Sequence, residues 1–192
     1  MRSYRLRTVI FLALCCDLGL FSKRLIAPFT NVITDALHIP GGVGTSFSLM
    51  FLVIAAFLVP RFGCAAVMGV VQSVIALGLG MVGSMGILSP IGYIVPALMI
   101  DILLWLMRRT GLSQTNRAML ANAAASCCAA LTANWIVFRL RGAILFLYLC
   151  ISLMTGAICG ILASELVRRL LPVLGGAVYS NEKMESQKNG KK

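Results

Sequence analysis

The sequence predicts an all-α membrane protein, a compact bundle of six transmembrane helices with both termini cytoplasmic. Three observations predict it. Only 12% of the 192 residues are charged and 59% are hydrophobic, against about 25% charged in a soluble domain. A surface so poor in charge cannot face water, and the mean hydropathy is +0.93. Apolar runs near the ~20 residues that cross a bilayer fall at about 8–29, 43–60, 63–83, 87–107, 118–138 and 143–171. With both termini inside, 13 of the 17 Lys and Arg lie on the inner side, as the positive-inside bias requires.

The first span follows Arg2, Arg5 and Arg7 and includes Lys23 and Arg24, which reach its boundary by snorkelling. A basic stretch before an apolar run also fits a signal peptide, and Leu12-Ala-Leu-Cys15 hints at a lipoprotein cleavage site. Leu14 is bulky where cleavage needs a small residue, so an uncleaved span is the expectation. The outer segment 30–46 predicts a short amphipathic helix over 30–38, with Val32, Ile33, Ala36 and Leu37 on one face, ended by Pro40-Gly41-Gly42. A basic inner turn at 61–62 leads into the third span. A second outer connection, 80–90, is rich in glycine, and Ser89-Pro90 opens the fourth span, which carries Asp101. The inner connection 108–117 is basic. The sixth span is long, and its last turns, with Arg168 and Arg169, leave the lipid. Residues 1–178 thus form the membrane domain, and the polar, basic tail 179–192 is expected to be disordered. Structureless backbone at membrane depth is tolerated only against protein or a water-filled cavity, so the two outer segments suggest lips over a cavity that opens outward.

Small residues recur at four-residue spacing: Ala121, Ala125, Ala129 and Ala133 in the fifth span, Gly156 and Gly160 in the sixth, Ala65 and Gly69 as well as Ala76 and Gly80 in the third, and Cys15 and Gly19 beside Ala13 in the first. Such rows let helix backbones approach closely. Ordinary packing within the bundle accounts for them; the functional alternative is that the row on the first span docks a partner. Acids within spans cost a few kcal/mol or more and call for a partner. For Asp101 the candidates are Arg108 and Arg117, with substrate binding as the alternative; Asp17 suits a helix–helix or partner contact. Glu165 is spaced to pair with Arg169.

Polar and aromatic residues gather at the outer ends. His38, Gly42, Thr45, Ser84, Ser89, Tyr93, Asn134, Trp135 and Arg139 form the candidate substrate-binding set. The Asn134 amide is suited to read a ligand edge while the Trp135 ring stacks on it, and a mostly apolar pocket with a few convergent polar groups is the usual form of a small-molecule site. Trp135 and Tyr148 equally fit an interfacial aromatic belt. The lone His38 reads as a loop hydrogen-bonder and not a metal ligand. No GxxxxGK[ST], HExxH, GxSxG or paired-carboxylate motif occurs, so no enzyme, cofactor or metal is expected. The seven cysteines lie in apolar runs without a CxxC and read as small hydrophobes. The net charge of +11 sits at span ends and in the tail, with no basic face of interleaved aromatics, which argues against nucleic acid as a partner.

Six short spans with both termini inside, the outer segment with Ile39-Pro-Gly-Gly-Val-Gly44, and the outer turn Gly83-Ser-Met-Gly-Ile-Leu-Ser-Pro90 resemble the S components of energy-coupling factor (ECF) transporters. These are small subunits of bacterial and archaeal cell membranes that capture vitamins. The likeness covers roughly residues 8–171, and Gly63 to Asp101 looks most like the family's third and fourth spans. The resemblance implies capture of a water-soluble vitamin from outside, in a pocket made by the outer connections and the last three spans. It implies docking of the first three spans on a transmembrane scaffold subunit, with two cytoplasmic ATPases powering release. The family docks through an AxxxA-type motif in the first span. Here Ala13-xxx-Asp17 departs from it, and Cys15-xxx-Gly19 on a slightly rotated face is the substitute, so the docking candidates are Ala13, Cys15, Asp17 and Gly19. The deep acid of the fourth span favours thiamine or its pyrimidine precursor, with cobalamin and other vitamins open. Two readings stand beside this one: a stand-alone secondary transporter or channel using Asp17 and Asp101 as relay acids, and a membrane assembly protein without a ligand.

Overall fold

The computed structural model describes residues 6–37, 43–59, 61–80, 88–137, 139 and 142–189. Six α-helices carry these residues: α1 Leu6–Leu37, α2 Val43–Leu58, α3 Cys64–Gly78, α4 Ser89–Leu106, α5 Gln114–Leu131 and α6 Ala143–Asn189. No strand occurs among the described residues. A 3₁₀ turn, Met107–Arg109, follows α4, and a π-helical turn, Thr132–Val137, ends α5. Among the described residues two helices are long and apolar enough to cross a membrane, Ser89–Leu106 and Ala143–Leu170, while Gly44–Leu58 and Cys64–Gly78 are apolar but shorter.

Two boundaries differ from the sequence expectation. The first helix does not stop near residue 29 to restart as a separate amphipathic helix; α1 continues to Leu37 with Pro28 inside it. Proline removes one N–H, the one that would bond the Arg24 carbonyl, and no other Gly or Pro interrupts residues 29–37. The second difference is at the other end. α6 runs on to Asn189, through most of the segment expected to be a disordered tail. Residues 182–188 are Glu, Lys, Met, Glu, Ser, Gln and Lys, mostly good helix formers, and no Gly or Pro follows Gly176 until Gly190.

α2 is the central helix and packs on α1, α3, α4, α5 and α6. Its sequence, VGTSFSLMFLVIAAFL, is apolar on every side, the pattern of a helix buried all round. Leu52, Val53 and Ala55 are wholly buried. The other close pairs are α5 with α6 and α3 with α4, and both depend on glycine. A Cβ built on Gly160 would stand 2.6 Å from Met119 Cα and 2.7 Å from the Ala118 carbonyl oxygen; one on Gly69 would stand 2.6 Å from Ala97 Cβ. These helices meet backbone to backbone, as the small-residue spacing anticipated.

Polarity is distributed inside out. Ser46, Ser48, Gln72, Ser73, Asn122, Ser126 and Ser152 are buried, while Val67, Val74, Ile102, Trp105, Phe146, Met154 and Ile158 are exposed. Soluble monomers seldom expose contiguous apolar surface on this scale.

Candidate functional site

The helices alternate in direction, so the bundle has two ends of different chemistry. One end holds Asp101. Gly63, at φ 90°, turns the chain into α3 and offers no side chain to cap it. The carboxylate of Asp101 on α4 does so instead, accepting the amide of Ala65 at 3.2 Å and that of Ala66 at 2.7 Å. The first amides of a helix lack intrahelical acceptors and favour negative charge. The acid thus joins two helices through amides, and of the arginines that the sequence offered as its partners Arg108 lines the same small pocket as Asp101, together with Arg61.

Buried polar groups climb from there toward the opposite end. Gln72 donates to the Cys16 carbonyl at 3.2 Å, and Ser48 donates to the Gly19 carbonyl at 2.9 Å. Asn122 donates to the carbonyls of Gly156, at 2.8 Å, and Ser46, at 3.4 Å. Its Oδ1 and the Ser126 hydroxyl are buried without a hydrogen-bond partner, although both lie on one face of α5.

The second end carries the described part of the candidate binding set. Tyr93 and Ser89 share a face of α4 one turn apart, and both are buried. Tyr93 packs with Leu20 of α1 and Ala76 of α3. Lys23 of α1 reaches across to it: Nζ donates to the Tyr93 hydroxyl at 3.3 Å and lies 4.4 Å from the ring centroid, within cation–π range. The contact fits helix geometry, since side chains lean toward the N-terminus of their own helix and α1 and α4 run in opposite directions. The π-helical turn packs against α4. It carries Asn134, 6% exposed, and Trp135, 61% exposed. Single π-turns within helices recur at functional sites. The next described residue, Arg139, holds φ at 51°, a conformation uncommon for a residue with a side chain.

Of the candidate binding residues, the structure therefore brings Ser89, Tyr93 and Asn134 to one end as buried groups. Thr45 lies in the first turn of α2, partly buried, and Trp135 and Arg139 face outward. His38, Gly42 and Ser84 lie outside the described residues. The group that the sequence reading missed is Lys23: spacing alone sent it to the membrane boundary, and only the register of α1 against α4 turns it onto Tyr93.

The docking quartet divides between two faces. Cys15 and Gly19 point into the bundle, and a Cβ on Gly19 would stand 2.8 Å from Gln72 Nε2. Ala13 and Asp17 are exposed, amid the outward Ile10, Leu14, Leu18 and Phe21. Ala13 also borders an apolar groove of about 240 Å³ between α1 and α3, with Val9, Leu12 and Val71 in its walls.

No family model, no curated protein and no solved structure matches the chain.

Proposed function

We propose that the chain is the substrate-capture subunit of an ECF-type ABC importer, a multi-pass protein of the cell membrane. It binds a water-soluble vitamin or vitamin precursor at the Tyr93 end, which faces outward, and works with a transmembrane scaffold subunit and cytoplasmic ATPases. The observation that carries this reading is the burial of Ser89, Tyr93 and Asn134 on α4 and on the π-turn packed against it, with Lys23 on Tyr93, inside a bundle whose outer surface is apolar. An apolar wall with few polar groups suits a small organic ligand. The six-helix order and the resemblance of residues 8–171 to S components supply the transport context.

The exposed apolar residues favour all six helices as spans. α2 and α3, with 16 and 15 residues, rise only about 24 and 22 Å, short of a ~30 Å hydrocarbon core. Local thinning of the bilayer accommodates such short helices at modest cost. Asp101 stays structural in this reading, because both of its oxygens already accept amides. Ala13 and Asp17 are the outward residues of α1 available to the scaffold subunit.

The test is ligand retention by protein purified in detergent. Asn134→Ala weakens it by about 1–3 kcal/mol, the cost of one lost buried hydrogen bond with its partner left unpaired, while thermal unfolding of the ligand-free protein changes little. Tyr93→Ala weakens it too and also lowers the unfolding midpoint, because it empties the ring's place beside Leu20 and Ala76. Normal retention by both folded variants moves the pocket elsewhere.

A further inference from the structure

Among the described residues no acid forms an ion pair with Lys23. The chain contains six acids, Asp17, Asp35, Asp101, Glu165, Glu182 and Glu185. Asp101 caps α3 at the opposite end. Glu165 pairs with Arg168 and Arg169. Glu182 and Glu185 lie in the last turns of α6, which runs away from the Tyr93 end. Asp17 and Asp35 share α1 with Lys23 but stand six and twelve residues away, about 9 and 18 Å of helical rise, and Asp17 faces outward.

What Lys23 does touch is neutral. One of its three N–H donors meets the Tyr93 hydroxyl, and the ammonium lies over the ring. A half-buried cation among apolar helices is costly without a counter-charge. Ser89 is buried one turn before Tyr93 on the same helix.

We propose that Lys23 and Tyr93 hold an anionic oxygen, a carboxylate or phosphate, of the molecule bound at this end. The proposal rests on the capture reading above and deepens it: the solute is an anion, which disfavours the cation thiamine. Lys23 supplies the charge, and the Tyr93 hydroxyl, by accepting from Nζ, fixes where the ammonium points. A phospholipid headgroup offers the same oxygen, and the test separates the two sources.

Full-length protein in a phosphate-free neutral detergent is exposed to a deproteinised cell extract split by ion exchange into anionic, neutral and cationic fractions, and separately to phosphatidylglycerol. Mass spectrometry identifies what is retained. The expected result is a solute from the anionic fraction, bound about tenfold to a hundredfold more weakly by Lys23→Met and nearly as well by Lys23→Arg. Should Lys23→Met fail to fold, the tenfold-or-less loss expected for Tyr93→Phe and the competence of Lys23→Arg carry the test. Lys23-dependent retention of phosphatidylglycerol with no solute assigns the oxygen to lipid and overturns the solute claim. A solute from the neutral or cationic fraction, or an anion held equally by Lys23→Met, overturns the proposal and leaves capture standing. Retention of nothing from any source overturns both.

Discussion

Gly160→Ala lowers the thermal unfolding midpoint of the detergent-purified protein by about 5 °C, and Gly160→Leu yields no folded protein. The new Cβ would meet Met119 Cα at 2.6 Å, the Ala118 carbonyl oxygen at 2.7 Å and Met119 N at 3.0 Å. All three are backbone atoms, so no side chain can swing aside and α5 must separate from α6. Overpacking of this kind costs about 1–3 kcal/mol, and in a chain of this length each kcal/mol moves the midpoint by roughly 2–4 °C. Separation would also disturb Asn122, which donates to the neighbouring Gly156 carbonyl. Gly78→Ala is the control. Its Cβ meets nothing within 4 Å, so the same substitution there is neutral or slightly stabilising. Equal effects at the two glycines would mean that the α5–α6 contact is looser than described.

Asp101→Ala costs about 3 kcal/mol of stability, and Asp101→Asn about half as much. Alanine leaves the amides of Ala65 and Ala66 without their acceptor at the start of α3, in surroundings where Ala65 is fully buried. Asparagine keeps one acceptor oxygen and loses the charge that favours a helix N-terminus. The measurement is the unfolding midpoint alongside ligand retention per folded molecule. A capping role lowers the first and spares the second. A folded, fully stable Asp101→Asn that no longer retains or transports a solute would return this acid to the relay role considered for it.

Much of the helix order was legible because burial and membrane length leave long apolar runs. All six helices overlap the expected spans. Close packing was legible too: the glycines at 69, 156 and 160 stand where the four-residue rows put them. What escaped depends on rotation and register. Cys15 and Gly19 form a small-residue row whichever way α1 faces, and only the contacts with Ser48 and Gln72 show that the row points inward. An acid and an arginine can be paired by eye along a sequence, whereas the amides at the start of another helix carry no letter, so the capping contacts of Asp101 were invisible. The first apolar run ends near residue 29, yet α1 carries on past it, with Pro28 costing one hydrogen bond within an otherwise uninterrupted stretch. Lys23 looked like a boundary residue because its spacing matches one, and the ring that receives it comes from seventy residues further on.

The most direct measurement of the central claim is native mass spectrometry of the intact protein released from detergent. The capture reading predicts a peak for the chain with one small organic molecule bound, restored by its addition to stripped protein and diminished in both Tyr93→Ala and Asn134→Ala. A folded wild-type chain that carries no such molecule, and binds none when offered the fractionated extract, would contradict it.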